Sequence, residues 1–199
     1  MNRNQKTHTL VQLSLLTAII LVMAFTPVGY LKIGALSISF LMIPVVIGGM
    51  ILGPKAGAFL GGVFGLTSFF QCFGMDWFGT TLMGVNPIAT FITCVVARVL
   101  AGLLPGLLFS WMEKIDKTKI LSYAITSLSG ALLNTFFFVG FLVIFFSQTL
   151  MEMQMGDTVW AVITSLVTIN AVAEAIVCLV VGAAIAKAVS TYNGNRLKG

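Results

Sequence analysis

The chain has 199 residues, of which 58% are hydrophobic and only 9% are charged. A soluble domain carries about 25% charged residues, so this composition excludes a water-exposed surface over most of the molecule. We therefore expect most of the exterior to contact the lipid bilayer. The formal net charge of +5 fits basic loops on the cytoplasmic side of a membrane, so it does not indicate nucleic-acid binding. A transmembrane helix needs about 20 apolar residues, and the length therefore predicts about six spans.

Six apolar segments follow one another along the chain. The first resembles a secretory signal because Arg3 and Lys6 precede it, but no small-x-small cleavage site follows, so we predict a retained helix. The second contains Pro44, which favours a tilted, kinked or partly re-entrant segment. The predicted spans are 9–26, 36–52, 56–73, 87–111, 120–146 and 159–187, between cytoplasmic tails at 1–8 and 188–199.

The distribution of basic residues predicts the direction of these spans. With the N-terminus inside, Lys32 is the only basic residue on the outer side and Arg98 the only one within a span, which leaves nine of the 11 on the cytoplasmic side. Basic residues favour cytoplasmic loops. The sequence therefore predicts an all-α integral membrane protein, one membrane domain over residues 1–199, built as a six-transmembrane-helix bundle. Both termini lie in the cytoplasm of a bacterium, and the protein is a multi-pass component of its plasma membrane.

Small residues recur at helical spacing in two of the spans. Gly57, Gly61 and Gly65 lie four positions apart and form one stripe, which predicts close packing against a neighbouring helix. Ser14 and Ala18 form a similar pair in the first span. The pair fits either packing within the bundle or a docking face for a partner subunit.

The inventory of reactive residues argues against an enzyme. His8 is the only histidine and lies in the predicted tail, so no serine–histidine pair is available inside the bundle. The chain has no G-x-x-x-x-G-K-[ST] phosphate loop and no cluster with metal-ligand spacing. Its cysteines, Cys72, Cys94 and Cys178, are isolated in apolar stretches, where a buried thiol acts as a small hydrophobe. We expect no catalytic residue, no metal and no cofactor.

Four polar residues fall at membrane depth and are the main candidates for function: Arg98, Asn134, Asn170 and Glu174. A lone charge in the bilayer is costly, so Arg98 and Glu174 are expected to face the interior. Two interpretations remain open and are compatible with each other. The residues form a structural Arg98–Glu174 ion pair, or they line a ligand pocket in which one edge of the guanidinium is free for a carboxylate.

The predicted outer connections supply a second layer of candidates: Tyr30, Lys32, Gln71, Trp77 and Asn86. An aromatic ring, an amide and a cation above a polar floor suit a small polar metabolite with an apolar middle. Tyr30 and Trp77 also fit interfacial anchors of the bilayer. Lys32 fits either a solvated loop charge or a group that attracts an anionic ligand.

The run ISFLMIPVVIGGMILGPKAGAFLGGVFGLTSFF at 38–70 closely resembles the substrate-binding S components of energy-coupling factor (ECF) vitamin transporters. Within that family, NPIATFITCVVARVLAG at 86–102 is most similar to the pantothenate-type members. The resemblance places Arg98 at the characteristic arginine position and Asn134 at the asparagine of helix five, where such proteins contact the ligand.

The resemblance also implies a mechanism and partners. An S component binds its vitamin from outside, then associates with a T subunit that carries two ATPase subunits, and topples in the membrane to deliver the ligand. Ser14 and Ala18 match the T-subunit contact of the family, although its usual alanine is replaced by Ser14. Three alternatives remain: another vitamin or precursor such as hydroxymethylpyrimidine or folate, an autonomous secondary transporter, and a membrane scaffold.

Overall fold

Helices form most of the described chain. The structure, a computed structural model, describes residues 3–26, 29–33, 36–115, 120–152, 170–182, 184–185 and 188. Its α-helices are α1 (Arg3–Ala24), α2 (Met42–Leu52), α3 (Pro54–Gln71), α4 (Trp77–Val85), α5 (Pro87–Phe91), α6 (Ala97–Met112), α7 (Ile120–Glu152) and α8 (Asn170–Val177). Two π-helical segments lie at Ile92–Val96 and Cys178–Gly182. Among the described residues, Lys6–Ala24, Pro87–Met112 and Leu121–Glu152 are long and apolar enough to cross a membrane.

The chain ends of the predicted bundle are only partly described. The tail predicted at 1–8 is helical from Arg3 onward, because α1 begins there. The first part of the sixth predicted span, 159–169, and the C-terminal tail, apart from residue 188, lie outside the described residues. The described part of that span is α8 and the π-helical segment after it.

The first outer connection contains a β-hairpin that the sequence did not predict. Strand β1 (Tyr30–Ile33) pairs antiparallel with β2 (Leu36–Ser39), with Tyr30 opposite Ser39. Helix α2 therefore begins at Met42, so the predicted start of the second span at residue 36 was wrong. The physical reason is visible in the sequence LSIS of β2, because alternation of apolar and polar residues has the period of a strand. Strand β2 packs against α8.

The second outer connection contains helix α4, where the sequence analysis placed a turn. Asp76 begins the helix as its N-cap, and its Oδ2 accepts a hydrogen bond from the Gly79 backbone N–H at 2.8 Å. Carboxylate caps of this kind satisfy an otherwise unpaired N–H of the first turn. Phe78 and Leu82 of α4 are buried in one apolar cluster with Leu142 of α7, so α4 packs onto the bundle.

Helix α7 is longer than a membrane crossing requires. Its 33 residues correspond to about 50 Å at 1.5 Å per residue, whereas the hydrocarbon core is about 30 Å thick. The helical geometry breaks at Phe146, with φ −131° and ψ 18°, the residue at which the sequence analysis ended the fifth span. The last turn of α7 therefore lies beyond the predicted span and packs beside α4.

The glycine stripe of α3 determines how closely this helix approaches α6. A Cβ atom placed on Gly57 would strike the carbonyl oxygen of Gly102, and one on Gly61 would strike the carbonyl oxygen of Arg98. A Cβ on Gly65 would lie 2.8 Å from the Cys94 carbonyl oxygen. Since no side chain separates the two backbones, the helices meet at close range. The predicted use of the stripe in tight packing is confirmed, and this contact fixes the backbone that carries Arg98.

Candidate ligand-binding site

Three buried polar side chains from three helices meet in the bundle interior. Arg98 of α6 is 7% exposed, and Asn134 of α7 and Glu174 of α8 are each 6% exposed. Arg98 and Glu174 thus face the interior, as the cost of burying a charge in lipid predicts. We call these three residues the polar cluster.

The guanidinium of Arg98 is held by hydrogen bonds to backbone carbonyls that precede it in the chain. Its Nη1 donates to the carbonyl oxygens of Thr93 at 3.2 Å and Cys94 at 3.1 Å. Both carbonyls belong to the π-helical segment Ile92–Val96 that precedes α6. A π-helical turn replaces the regular i to i−4 hydrogen bonds, and such turns are frequent at functional sites. Here the turn supplies two acceptors for one arginine nitrogen and so fixes the direction of the side chain.

Two aromatic rings contact the same guanidinium. The Cζ atom of Arg98 lies 4.8 Å from the ring centroid of Phe64 in α3 and 4.8 Å from that of Phe138 in α7. Cation–π contacts at this range stabilise a desolvated guanidinium by about 2 kcal/mol. They leave the in-plane N–H groups of the guanidinium available for hydrogen bonding.

One nitrogen of the guanidinium has no partner in the described part of the chain. Arg98 Nε is buried and makes no hydrogen bond with any described residue. The edge formed by Nε and the neighbouring Nη2 is a geometry in which arginine binds a carboxylate through two parallel hydrogen bonds. The buried Nε–H of Arg98 is thus an oriented donor in the bundle interior, with no acceptor for it among the described residues.

Glu174 does not supply that carboxylate. Its Oε1 accepts a hydrogen bond of 3.1 Å from Asn134 Nδ2, and within the described part of the chain no ion pair joins it to Arg98. The bond orients the Asn134 amide, whose Oδ1 is buried and has no partner among the residues that the structure describes. Of the two interpretations of the sequence, the direct ion pair is thus not the arrangement that the structure adopts.

The outer-layer candidates have structural roles where their side chains are described. Gln71 donates from Nε2 to the Ala24 carbonyl oxygen at 2.6 Å and so ties α3 to the end of α1. Asn86 caps α5, since its Oδ1 accepts from the Ala89 N–H at 3.1 Å. Trp77 is 64% exposed. No described hydrogen bond connects these three residues to the polar cluster.

Three further candidates lie at the limit of the described structure. Tyr30 and Lys32 are in strand β1, and Asn170 is the first residue of α8, but their side chains lie outside the described part. The backbone places Asn170 one helical turn before Glu174 on the same face of α8. Their participation in a ligand site remains a prediction.

Sequence reasoning missed the aromatic contacts of Arg98 and the proximity of two cysteines. Phe138 lies four residues after Asn134, so helical spacing alone would have placed it on the face of the cluster. The thiols of Cys72 and Cys94, isolated in sequence, have their Sγ atoms 3.9 Å apart. All three cysteines are free and buried. No group of three or more metal-binding side chains occurs among the described residues.

The Ser14–Ala18 pair lies on the exposed face of α1. Beside it, Leu15 and Ile19 line an apolar groove of about 450 Å³, which is completed by Pro44, Ile47 and Val181. The groove contains none of the three residues of the polar cluster. This surface, defined by Ser14, Ala18 and the groove, is called the α1 face below.

Comparison with known proteins gives two results. A family profile described as "ECF transporter, substrate-specific component" matches residues 8–186. A curated protein of Leuconostoc mesenteroides subsp. mesenteroides, described as "Pantothenate transporter PanT", is 34% identical over 116 residues. That alignment covers 55% of this chain and 55% of the relative, so the chain spans about half the length of the curated relative it matches.

Proposed function

Because the chain belongs to the family of substrate-specific components of ECF transporters, we propose that it is a vitamin-binding S component whose ligand is pantothenate. Its uptake function requires a T subunit and two ATPase subunits. The observation that carries the proposal is the buried Nε of Arg98, which has no partner among the described residues although Nη1 of the same guanidinium is held by two carbonyl oxygens. The name of the curated relative supports the choice of vitamin.

The chemistry of pantothenate complements the polar cluster. Its carboxylate binds the free edge of Arg98, where a charge-assisted pair of hydrogen bonds replaces the water lost on entry. Its amide and hydroxyl groups reach the unpartnered Oδ1 of Asn134, which accepts a hydrogen bond, and Asn170. Glu174 is a positioning residue in this scheme, because it holds the Asn134 amide in the orientation that presents Oδ1. This role accounts for an acidic residue in the binding site of an anion.

The proposed topology has six spans, with both termini in the cytoplasm and the ligand entering from outside. The hairpin β1–β2 and helix α4 then lie on the outer side, and β2 packs directly against α8, the helix that carries Glu174. The exposed α1 face is the proposed contact with the T subunit. Small residues there allow close helix approach in the membrane. Free energy for transport comes from ATP hydrolysis in the partner chains.

The proposal is tested by titrating purified protein with pantothenate in the absence of ATP. Wild-type protein is expected to bind with a stoichiometry of one. In Arg98→Ala, loss of a charge-assisted hydrogen-bond pair should weaken binding by about 100-fold or more, while the protein still inserts and purifies as a monodisperse species. The matched control is Trp111→Phe, at an exposed position near the end of α6, which should bind as the wild type does. Unchanged affinity in Arg98→Ala would contradict the assignment.

The same preparation separates an S component from an autonomous transporter. Vesicles that contain this chain alone should bind pantothenate without accumulating it. Accumulation should require co-expressed ECF subunits and ATP. Uptake driven by an ion gradient in vesicles without those subunits would overturn the proposed division of labour.

A further inference from the structure

Thr93 has a buried hydroxyl that makes no hydrogen bond with any described residue. The residue lies in the π-helical segment Ile92–Val96 and is 1% exposed. Its Oγ1 has no hydrogen-bond partner in the described ranges of the chain. Two nearby buried threonines behave differently. Thr67 donates to the Phe64 carbonyl oxygen at 2.8 Å, and Thr90 donates to the Asn86 carbonyl oxygen at 2.9 Å.

The contrast with these threonines has a physical meaning. A threonine in a membrane helix normally satisfies its hydroxyl through the carbonyl three or four residues earlier. Leaving such a group buried without a partner costs about 1–3 kcal/mol. Thr126 and Ser127 of α7 also have buried hydroxyls without a described partner. Thr93 differs from both because its backbone bonds to Arg98, so its unpaired hydroxyl calls for an explanation specific to its position.

That position is in direct contact with the guanidinium of Arg98. The carbonyl oxygen of Thr93 accepts from Arg98 Nη1 at 3.2 Å, so the Thr93 backbone contacts the guanidinium directly. Arg98 Nε, which also has no partner among the described residues, belongs to the same guanidinium. Two residues in direct contact therefore each hold a buried donor without a described partner, and one of these donors carries a positive charge.

We infer that Thr93 is a ligand contact: its hydroxyl donates a hydrogen bond to the carboxylate that Arg98 binds. A carboxylate has more acceptor positions than one arginine edge can fill, and the Thr93 hydroxyl fills a further one. The residue then has two functions, because its carbonyl orients Arg98 while its hydroxyl contacts the anion. This inference rests on the proposed function and adds a residue that discriminates carboxylate ligands from neutral ones.

The test replaces the hydroxyl with a methyl group of nearly the same size. Thr93→Val should weaken pantothenate binding by about 10-fold, the effect of one lost hydrogen bond to a charged group. Thr93→Ser, which keeps the hydroxyl, should bind within about twofold of the wild type. The matched controls Thr67→Val and Thr90→Val remove hydroxyls that are already bonded within the protein, and both should retain wild-type affinity. If Thr93→Val does not fold, Thr93→Ala takes its place in the comparison with Thr93→Ser.

Each outcome is decisive. Wild-type affinity in a folded Thr93→Val protein would overturn the inference and leave the proposed function intact. A loss that Thr93→Ser shares would assign the effect to packing of the methyl group and would also overturn it. Absence of pantothenate binding by the wild-type protein would instead refute the proposed ligand, and this inference with it.

Discussion

The polar cluster and the α1 face differ in burial and in chemistry. Arg98, Asn134 and Glu174 are at most 7% exposed, and two of them carry polar atoms without partners among the described residues. Ser14 and Ala18 are exposed beside an apolar groove. A buried polar cluster recognises a small ligand through directed hydrogen bonds, whereas an exposed face of small and apolar residues suits close packing with another helix. Under the proposed function, ligand recognition and subunit docking therefore occupy separate parts of this chain, and substitutions can test them separately.

The largest expected effect comes from disrupting the contact between α3 and α6 that supports the polar cluster. In Gly61→Ala the new Cβ strikes the Arg98 carbonyl oxygen, so α3 and α6 must move apart. We expect a loss of about 3 kcal/mol in the free energy of unfolding, no measurable pantothenate binding, and therefore no uptake. The adjacent change Gly62→Ala is the control, because its Cβ meets only the Val99 side chain at 3.5 Å. Thermal unfolding and titration of both variants measure the difference. Equal behaviour of the two variants would contradict the described helix contact.

A smaller effect is expected from changing one partner within the cluster. Asn134→Asp replaces the amide that donates to Glu174 at 3.1 Å with a second carboxylate, which repels both Glu174 and an anionic ligand. Pantothenate affinity should fall by about 100-fold. Glu174→Gln keeps an oxygen that accepts from Asn134 and should weaken binding less than about fivefold. A ligand titration of both variants tests the positioning role, which would be refuted if Glu174→Gln were the more damaging change.

Changes on the α1 face should lower ATP-dependent uptake without weakening pantothenate binding, unlike changes in the polar cluster. In Ser14→Leu the larger side chain prevents close approach of a partner helix, so ATP-dependent uptake in vesicles with the ECF subunits should fall about 10-fold. The dissociation constant for pantothenate should stay within twofold. Gly140→Leu is the matched control on α7, where a Cβ meets open space, and it should affect neither quantity. Loss of binding in Ser14→Leu would show that the two regions are coupled.

The smallest predicted effect concerns Gln71, and it tests whether this residue belongs to the ligand site. Gln71→Ala removes the hydrogen bond to the Ala24 carbonyl oxygen and should lower the free energy of unfolding by about 1 kcal/mol. Pantothenate affinity should remain unchanged, because the described contact of Gln71 joins two helices. Unfolding and titration of the same preparation give both numbers. A tenfold loss of affinity would return Gln71 to the set of ligand contacts predicted from the sequence.

The sequence predicted those features that follow from one helix at a time. Repeating glycines placed Gly57, Gly61 and Gly65 on one face, and the cost of burying charge turned Arg98 and Glu174 inward. The break at Phe146 falls where loss of apolar character ended the predicted fifth span. In each case the periodicity or polarity of a single segment carries the information.

The features that the sequence did not predict depend on geometry between segments or on local backbone choice. Arg98 and Glu174 have opposite charges, which favoured a direct pair, but the π-helical turn gives Arg98 two carbonyl acceptors and leaves Glu174 to Asn134. Helix spacing decides which partner is within reach, and it is not encoded in residue type. Helix α4 was mistaken for a turn because its glycines and Asp76 are typical of connections, although Asp76 in fact caps a helix.

The most direct test of the central claim is an experimental structure of the protein with bound pantothenate. We expect a carboxylate oxygen within about 3 Å of Arg98 Nε, beside the rings of Phe64 and Phe138, with Nη1 still bonded to the Thr93 and Cys94 carbonyls. A carboxylate bound elsewhere, with Arg98 Nε still lacking a partner, would contradict the assignment of this arginine as the receptor for the ligand.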